Sequence, residues 1–296
     1  MIELTGENLS IADLVRIARS NVEIAPLGVQ VRRRLEESRA WVAKTVGDAR
    51  TVIYGVNTGF GPLATTIIAP DQTRALSRNV ILNCVSGVGP PLSKEIVRAM
   101  MAIRANTLAK GYSGVRPSLV DAIIAMLNKG VTPHVPSKGS LGASGDLAPL
   151  AHIAVVLTRD PGEGDGGYSG QAWYNDELLT GAEAMERAGI ARLIPEAKEG
   201  LALTTGTNFL VAAGALGLHD AKSLVRHAEI GAALSLEALL GLSAAFHPAL
   251  HAANNQPGQI QTAANLRAPL LGSTRIDSDP SRVQDAYSLR CTPQVI

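Results

Sequence analysis

The sequence predicts a mainly α-helical protein, and its composition and one long apolar stretch are the basis for that prediction. The 296 residues are 46% hydrophobic but only 3% aromatic, so the core must be built from Ala, Leu, Val and Ile. Such a core favours closely packed helices over an aromatic-rich β sandwich. Residues 222–247 are mostly Ala, Leu and Gly, and we expect one helix there. A helix so poor in polar residues must be covered nearly all round, which indicates a helical bundle.

Shorter helices are predicted before this stretch from apolar periodicity and from end signals. They span residues 10–19, 28–46, 71–85, 93–109 and 117–129, and the pattern is helical again from residue 195. Asp71 is predicted to cap the third of them, and Gly130 to end the fifth. The run QAWY at 171–174 predicts the edge of a small hairpin, and 254–259 reads as a polar loop.

Composition also argues against several classes of protein. A net charge of +1 gives no reason to expect a nucleic acid partner. Cys84 and Cys291 are far apart and indicate neither a disulfide framework nor a metal site. His247 and His251 are four residues apart, but Pro248 intervenes and no carboxylate is near, so we expect no zinc. With neither a signal-peptide pattern nor a membrane-length apolar stretch, we expect a cytoplasmic protein.

The most informative stretch is GSLGASGDLAPLAH at residues 139–152. If the amide nitrogen of Gly145 reaches the carbonyl carbon of Ala143, a five-membered ring closes. Loss of two waters, one involving the Ser144 hydroxyl, then leaves an exocyclic methylene, which is an electrophile that no standard side chain offers. Gly145 suits this chemistry because it lacks a Cβ and adopts unusual dihedral angles. Composition alone equally allows a Gly-rich turn that caps a helix, with Asp146 near its first turn.

Two further segments accompany this run, namely YGVNTGFG at 54–61 and QDAYSLRCTPQV at 284–295. Together and in this order, the three resemble the aromatic amino acid ammonia-lyases and aminomutases, which build a 4-methylidene-imidazole-5-one (MIO) group from Ala-Ser-Gly. The residues of these three motifs are most similar to those of the histidine ammonia-lyase branch. The resemblance implies a long-helix bundle of the ammonia-lyase (fumarase/aspartase-like) type, with a small loop-rich N-terminal region and a homotetrameric core.

The same resemblance implies roles for individual side chains. Tyr54, in a glycine-flanked loop, would be the general base that removes a proton from the substrate Cβ. Arg290 would pair with the substrate carboxylate. Its planar guanidinium can donate two parallel hydrogen bonds to the two carboxylate oxygens. Tyr287, three residues earlier, would hold substrate or MIO, and Gln284 is a further candidate for that pocket. Each role has a purely structural alternative. Tyr54 would then be an ordinary half-buried tyrosine, Arg290 would form a surface ion pair, and Tyr287 would only contribute packing.

Two positions depart from the family pattern. The run EGLALTTGT at 199–207 has Thr205 where the family has an Asn that polarises the MIO carbonyl or orients the amino group. Threonine keeps a donor but loses the reach of the amide, so Asn208 or a water would have to substitute. Cys84 stands where histidine- and tyrosine-type members have a His that recognises the substrate ring. Because cysteine is a poor donor, we expect a substrate other than plain histidine or tyrosine.

The reaction that this resemblance implies is MIO-dependent elimination of ammonia from an L-histidine-like or aromatic α-amino acid, giving an α,β-unsaturated acid. Two alternatives stay open. One is an MIO-dependent 2,3-aminomutase, which returns the amine to Cβ. The other is a catalytically silent homologue that serves as a subunit for an active partner.

The organisation implied is an N-terminal region over residues 1–200, which carries the tyrosine loop and the MIO segment. Residues 201–296 would form the first part of a central helical bundle. The match ends inside the PQV motif of the family, so we expect a second polypeptide to supply the C-terminal half. The expected partners are therefore the amino acid substrate, other copies of this chain and that polypeptide.

Overall fold

The computed structural model describes residues 1–48, 52–141, 145–161 and 167–296, and the fold is mainly α-helical, as predicted. The described helices are α1 (Ile11–Arg19), α2 (Val29–Gly47), α3 (Thr73–Cys84), α4 (Lys94–Ala109), α5 (Pro117–Lys129), α6 (Leu147–Leu157), α7 (Gly181–Arg187), α8 (Glu199–Thr204), α9 (Asn208–Ala238), α10 (Pro248–Asn254), α11 (Pro257–Leu270), α12 (Tyr287–Arg290) and α13 (Thr292–Val295). The described strands are β1 (Val88–Pro91), β2 (Thr132–Pro133), β3 (Pro136–Lys138), β4 (Gln171–Tyr174) and β5 (Glu177–Thr180).

The chain forms two compact units, Met1–Leu216 and Gly217–Ile296, and the division falls inside α9. The expected division at residue 200, between an MIO-bearing region and a bundle, stays a prediction.

Local end signals fix several helices of the first unit. Ser10 and Ser93 adopt extended backbone before α1 and α4, and their hydroxyls accept from Asp13 N and Ile96 N. These bonds satisfy amide groups that have no partner inside the helix. Gly130 ends α5 with φ of +78°, a left-handed conformation that suits glycine. The bounds of α1, α2, α4 and α5 therefore agree with the predictions within one or two residues.

Two predicted helix bounds are wrong. Asp71 does not cap α3, because it lies in a 3₁₀ turn over Pro70–Gln72. The Thr73 hydroxyl donates to Pro70 O at 2.8 Å across that turn, and α3 begins at Thr73. Residues 222–247 are not one helix either. α9 starts earlier, and the chain leaves it at Leu240, where φ is +54°.

The strands form two small antiparallel sheets in the first unit. β1 pairs with β3, while β4 lies between β2 and β5. The hairpin predicted at 171–174 is confirmed as β4 and β5, joined at Asn175 and Asp176, which both have positive φ. Two consecutive left-handed residues are typical of a tight hairpin turn.

The core of the first unit is aliphatic and centres on α4, α5 and α6. Met100, Met101, Ile123 and Leu150 are almost completely buried there. Charged side chains are buried beside them. Arg98 is 5% exposed, and its guanidinium donates to Ile17 O and Leu127 O near the C-terminal ends of α1 and α5. Those carbonyls lack partners inside their helices, so the arginine satisfies them and its charge complements the helix dipoles.

The second unit has its own small core, made by α9, α11 and the segment between α9 and α10. Leu236, Phe246 and Leu266 are fully buried in it. The turn after α9 is held by two carboxylates, because Asp285 accepts from Leu242 N at 2.6 Å and Asp277 accepts from Ser243 N at 2.9 Å. The helix itself ends through local backbone bonds, since Gly241 N donates to Leu236 O at 2.8 Å and Leu240 N donates to Glu237 O at 3.3 Å.

Glu199 positions α8 in the first unit through a buried ion pair. Its side chain is fully buried and accepts from Arg116 Nη2 at 2.6 Å and from Arg116 Nε at 2.9 Å. It also accepts from the main-chain nitrogens of Arg116 and Glu196. The hydrogen bond to Glu199 raises the pKa of Arg116, so the guanidinium stays charged at neutral pH.

We predict that Glu199→Ala lowers the free energy of unfolding by about 3 kcal/mol, because it leaves the Arg116 charge without its buried partner. Urea denaturation followed by circular dichroism measures the change. Asp176→Asn is the matched control, because it removes an ion pair with Lys94 in which the Asp176 side chain is 95% exposed. A Glu199→Ala midpoint equal to that of Asp176→Asn would contradict the assignment.

Candidate active site

A cavity of about 530 Å³ in the first unit contains three of the predicted site residues. Tyr54, Cys84 and Thr205 all line it, although they lie far apart in the sequence. Half of the remaining lining residues are aliphatic, and Asn79, Asn83 and Thr204 add polar side chains. The aliphatic residues are Leu63, Ile68, Leu76, Val80, Leu147 and Leu201.

Tyr54 lies in a loop that its own polar groups hold in shape. Asn57 Oδ1 accepts from Ile53 N at 2.8 Å, and the Thr58 hydroxyl accepts from Gly55 N at 3.2 Å. The Tyr54 ring meets Phe60 edge to face, with 6.0 Å between ring centroids, and Gly61 N donates to its hydroxyl at 3.5 Å. The side chain is 59% exposed. The phenol therefore lies at the open edge of the cavity, where a substrate has access to it.

Cys84 is the last residue of α3 and is half-buried in the cavity wall. Burial raises the pKa of the Cys84 thiol, so it is neutral at pH 7. A neutral thiol is a weak hydrogen-bond donor and behaves as a small hydrophobic group. This position therefore offers a substrate ring packing rather than a strong hydrogen bond.

The predicted MIO segment approaches this cavity at Gly145, while Gly142, Ala143 and Ser144 lie outside the described residues. Gly145 has φ of +84° and pairs with Gly206 in a parallel bridge. A Cβ on Gly145 would lie 2.3 Å from Gly206 O, so no other residue fits without a shift of the backbone. The neighbours Leu147 and Thr205 line the cavity. The main chain at Gly145 is thus held within two residues of the cavity wall.

Asp146 occupies the N-cap position of α6, as the turn-and-cap interpretation requires, but its carboxylate caps a different helix. Oδ2 accepts from Phe209 N at 2.7 Å and from Leu210 N at 3.1 Å at the start of α9. Asp146 N donates to Gly206 O at 2.7 Å, and the Ser140 hydroxyl donates to Oδ1. The residue is 2% exposed. One buried side chain therefore joins the glycine-rich segment to the N-terminus of α9.

Asn208 was predicted to contact substrate, and the structure places it behind the cavity wall. It is 4% exposed, and its Oδ1 accepts from Arg104 Nη2 at 2.7 Å. Arg104 also donates to Thr205 O at 2.6 Å and to Ala202 O at 3.1 Å. Burial lowers the pKa of Arg104 to about 10, while the charge of Asp146 opposes that change, so the group remains protonated at pH 7.

The other predicted residues, Gln284, Tyr287 and Arg290, belong to the second unit. The guanidinium carbon of Arg290 lies 4.0 Å from the centroid of the Tyr287 ring, as expected for residues three apart in a helical turn. Tyr287 is 72% exposed and Gln284 is exposed. The roles given to these three side chains stay predictions.

Arg104 is a site residue that sequence reasoning missed, although a signal was present. It lies in α4 among Met101, Ala105 and Leu108, all of which are buried. An arginine on an otherwise apolar helix face either extends to solvent or satisfies acceptors inside the protein. The pattern could have identified Arg104 as a buried donor, but not its acceptors, which are about a hundred residues away in the sequence.

His251 takes a structural role in the second unit. His251 is 1% exposed, with Nε2 3.1 Å from Ala245 O and Nδ1 2.8 Å from Gln259 Nε2, so both ring nitrogens are occupied. Over residues 1–48, 52–141, 145–161 and 167–296, no three His, Cys, Asp or Glu side chains are grouped to hold a metal ion. The helices of these ranges include none with the length and apolar character needed to span a bilayer.

The fold and the glycine-rich segment define a helical protein of the class that includes ammonia-lyases and aminomutases. A family profile described as aromatic amino acid lyase matches residues 9–296, and the chain belongs to this family. Histidine ammonia-lyase from Treponema denticola is 45% identical over 294 residues, which cover 99% of this chain and 56% of the relative. The chain thus spans about half the length of the curated relatives that it matches.

Two solved structures extend the comparison. The ergothioneine-degrading enzyme ergothionase from Treponema denticola is 28% identical, with a TM-score of 0.87, covering 99% of this chain and 57% of that one. The phenylalanine aminomutase of Pantoea agglomerans is 32% identical, with a TM-score of 0.86, covering 100% of this chain and 58% of that one. These similarities confirm the predicted fold class.

His152, the last residue of the glycine-rich run, supports the segment that carries Cys84. Its Nε2 accepts from Gly87 N at 3.2 Å, so this nitrogen must stay unprotonated. Burial, and secondarily the charge of His134, lowers the pKa of His152 to about 4. Because the folded pKa lies below the unfolded value near 6.5, the contribution to stability is complete above pH 6.5. It is lost as the pH falls from about 6.5 to 4.

We predict that His152→Gln reduces the loss of stability between pH 7.5 and pH 5 by about 1 kcal/mol, after allowance for solvent screening. Urea denaturation at the two pH values measures this difference. His227→Gln, at an exposed histidine of α9, is the control and should behave as wild type. An unchanged pH dependence in His152→Gln would show that the imidazole is not held neutral in the folded protein.

Proposed function

We propose that this chain carries the MIO-forming part of an ammonia-lyase that acts on an aromatic or L-histidine-like α-amino acid and releases an α,β-unsaturated acid. The observation that carries the proposal is the close packing of Gly145 against Gly206, which excludes a side chain at Gly145, the last residue of the sequence Ala143-Ser144-Gly145. The residues present therefore fit cyclisation. Once formed, the MIO group would supply an electrophilic methylene that captures the substrate amine and improves it as a leaving group.

In this proposal Tyr54 takes the β-proton of the substrate, and its exposure at the open edge of the cavity supports that role. Arg290 binds the substrate carboxylate through its planar fork. The Tyr287 ring stacks on the guanidinium and so restricts its orientation while leaving N–H groups at the edge for the substrate. Gln284 is proposed to bind substrate beside them.

The cavity wall supports an apolar aromatic substrate. Its aliphatic side chains and the neutral thiol of Cys84 favour a ring that needs no strong hydrogen bond at that point. At Cys84 itself, an imidazole or a phenol gains no strong hydrogen bond in exchange for those that it makes with water. We therefore rank L-phenylalanine-like side chains ahead of L-histidine and L-tyrosine.

A 2,3-aminomutase is the second candidate function. The phenylalanine aminomutase structure, which is 32% identical to this chain, supports it. The two reactions share their first steps and differ in whether the amine leaves or returns to Cβ. NMR analysis of the product distinguishes an α,β-unsaturated acid from a β-amino acid. A catalytically silent subunit would give neither product and would keep an unmodified Ala-Ser-Gly segment.

We also propose that the second unit assembles with other copies of the chain through α9. Leu224, Ile230 and Leu234 lie on this helix and are 71%, 58% and 63% exposed. Large apolar side chains exposed along one helix are typical of surfaces that become covered on assembly. A cytoplasmic location and a second polypeptide stay predictions.

We predict that wild-type protein yields a tryptic peptide 139–159 lighter by two water molecules, and that Ser144→Ala abolishes both this mass change and turnover. Without the Ser144 hydroxyl no methylene can form, so the electrophile is lost. Mass spectrometry of the peptide and a product assay measure the two effects. Ser137→Ala, whose hydroxyl lies outside the peptide, is the control and keeps the water loss. Turnover by Ser144→Ala would refute MIO chemistry.

We predict that Cys84→His raises kcat/KM for L-histidine relative to L-phenylalanine by about tenfold or more, since one hydrogen bond to a ring nitrogen contributes about 1 to 2 kcal/mol. Cys84→Ser, which keeps the size of the side chain and adds no ring, should leave the ratio close to that of wild type. Equal ratios in Cys84→His and wild type would place substrate recognition elsewhere.

A further inference from the structure

The buried guanidinium of Arg104 has acceptors on both sides of Gly206. It donates to Thr205 O just before the glycine and to Asn208 Oδ1 just after it, at 2.6 and 2.7 Å. Gly206 has φ of +149°, and a Cβ there would lie 2.5 Å from Arg104 Nη2 and 2.7 Å from Asn208 Oδ1. The chain at Gly206 therefore packs directly onto the Arg104–Asn208 pair.

The opposite face of Gly206 is in contact with the proposed cyclising segment. Its carbonyl oxygen accepts from Asp146 N at 2.7 Å and lies 2.3 Å from the position of a Cβ on Gly145. Arg104, Gly206 and Gly145 are thus stacked in series. A change at Arg104 is transmitted to Gly145 through the peptide group of Gly206, because neither glycine has room for a Cβ.

The side chain of Arg104 is not fully satisfied by its hydrogen bonds in the described chain. Its three described acceptors are neutral oxygens, and Nε is buried without a hydrogen-bond partner in the described chain. Asn208 has the same feature, since its Oδ1 faces the guanidinium and its buried Nδ2 has no partner among the described residues. Because a guanidinium only donates, this contact fixes the orientation of the Asn208 amide.

We propose that Arg104 is a positioning residue for ring closure, which clamps Gly206 so that its carbonyl holds Gly145 in one conformation. This inference rests on the proposed function. In the reaction, Gly145 N bonds to the Ala143 carbonyl carbon, and that carbonyl oxygen leaves as water with the hydrogens of Gly145 N and Ser144 N. The second water takes the Ser144 hydroxyl and its α-hydrogen. Holding Gly145 fixed lowers the entropy lost in this closure.

Arg98 provides a matched control for Arg104. Both lie in α4, both are about 95% buried, and both donate to main-chain carbonyls of other elements. Arg98 contacts Ile17 and Leu127 and makes no described contact with Gly206 or Asn208. Replacing either arginine by methionine removes a buried donor of similar length, but only Arg104 lies beside the proposed cyclising segment.

The test follows the two-water mass loss of the tryptic peptide 139–159 with time after folding, in soluble protein whose helicity is checked by circular dichroism. Arg98→Met and Arg104→Met should both lower the urea midpoint. Only Arg104→Met should slow the water loss, by about tenfold or more, and Arg104→Lys should recover part of the rate. Water loss in Arg104→Met as fast as in wild type overturns the inference.

Asn208→Leu keeps the inference testable if Arg104→Met does not fold, because it leaves the Arg104 bonds to Thr205 O and Ala202 O in place. Slower water loss in a folded Asn208→Leu protein supports the clamp, and a wild-type rate overturns it. The proposed function fails separately. If the wild-type peptide itself shows no water loss, the MIO proposal is wrong and the clamp has nothing to position.

Discussion

The candidate site depends on the buried carboxylate of Asp146 and on its main-chain amide. The carboxylate accepts from Phe209 N and Leu210 N, while the amide donates to Gly206 O. A carboxylate at a helix N-terminus satisfies unpaired amides and complements the positive end of the dipole. Asp146 is the residue before α6, yet it determines where α9 begins. The glycine-rich segment and the end of α8 therefore cannot move independently in the first unit.

Buried arginines are the second constraint on this fold. The core is aliphatic, so helices pack closely and their C-terminal carbonyls become buried. Arg98, Arg104 and Arg192 are each about 95% buried and donate to such carbonyls at the ends of α1, α5, α6 and α8. The free-energy cost of removing each guanidinium from water is offset by several charge-assisted hydrogen bonds. Glu199 differs, because it neutralises Arg116 directly. Buried arginine–carbonyl hydrogen bonds and the Arg116–Glu199 ion pair both connect helices that have few polar side chains of their own.

The sequence predicted the features that depend on local chemistry. Ser10, Ser93 and Gly130 lie next to the helix ends that they determine, so α1, α4 and α5 were predicted well. The start of α9 was missed because a remote carboxylate, Asp146, caps it, and its end was missed because a leucine, Leu240, takes the left-handed conformation that glycine usually adopts. The site shows the same division. The resemblance to the family singled out Tyr54, Cys84 and Thr205, which line one cavity, but not Arg104, whose acceptors only the tertiary fold assembles.

Thr205 illustrates how recognition and positioning are separated in this site. Its side chain lines the cavity, while its carbonyl oxygen accepts from Arg104. On the Thr205 side the second contact uses only the main-chain oxygen, so it does not depend on which side chain stands at this position. A different side chain there would alter the chemistry of the cavity wall and leave this hydrogen bond beside Gly206 in place. Cys84 is similar, because its thiol faces the cavity while Gly87, three residues on, is held by His152. Side chains in the wall can change without loosening the backbone that the proposed cyclisation requires.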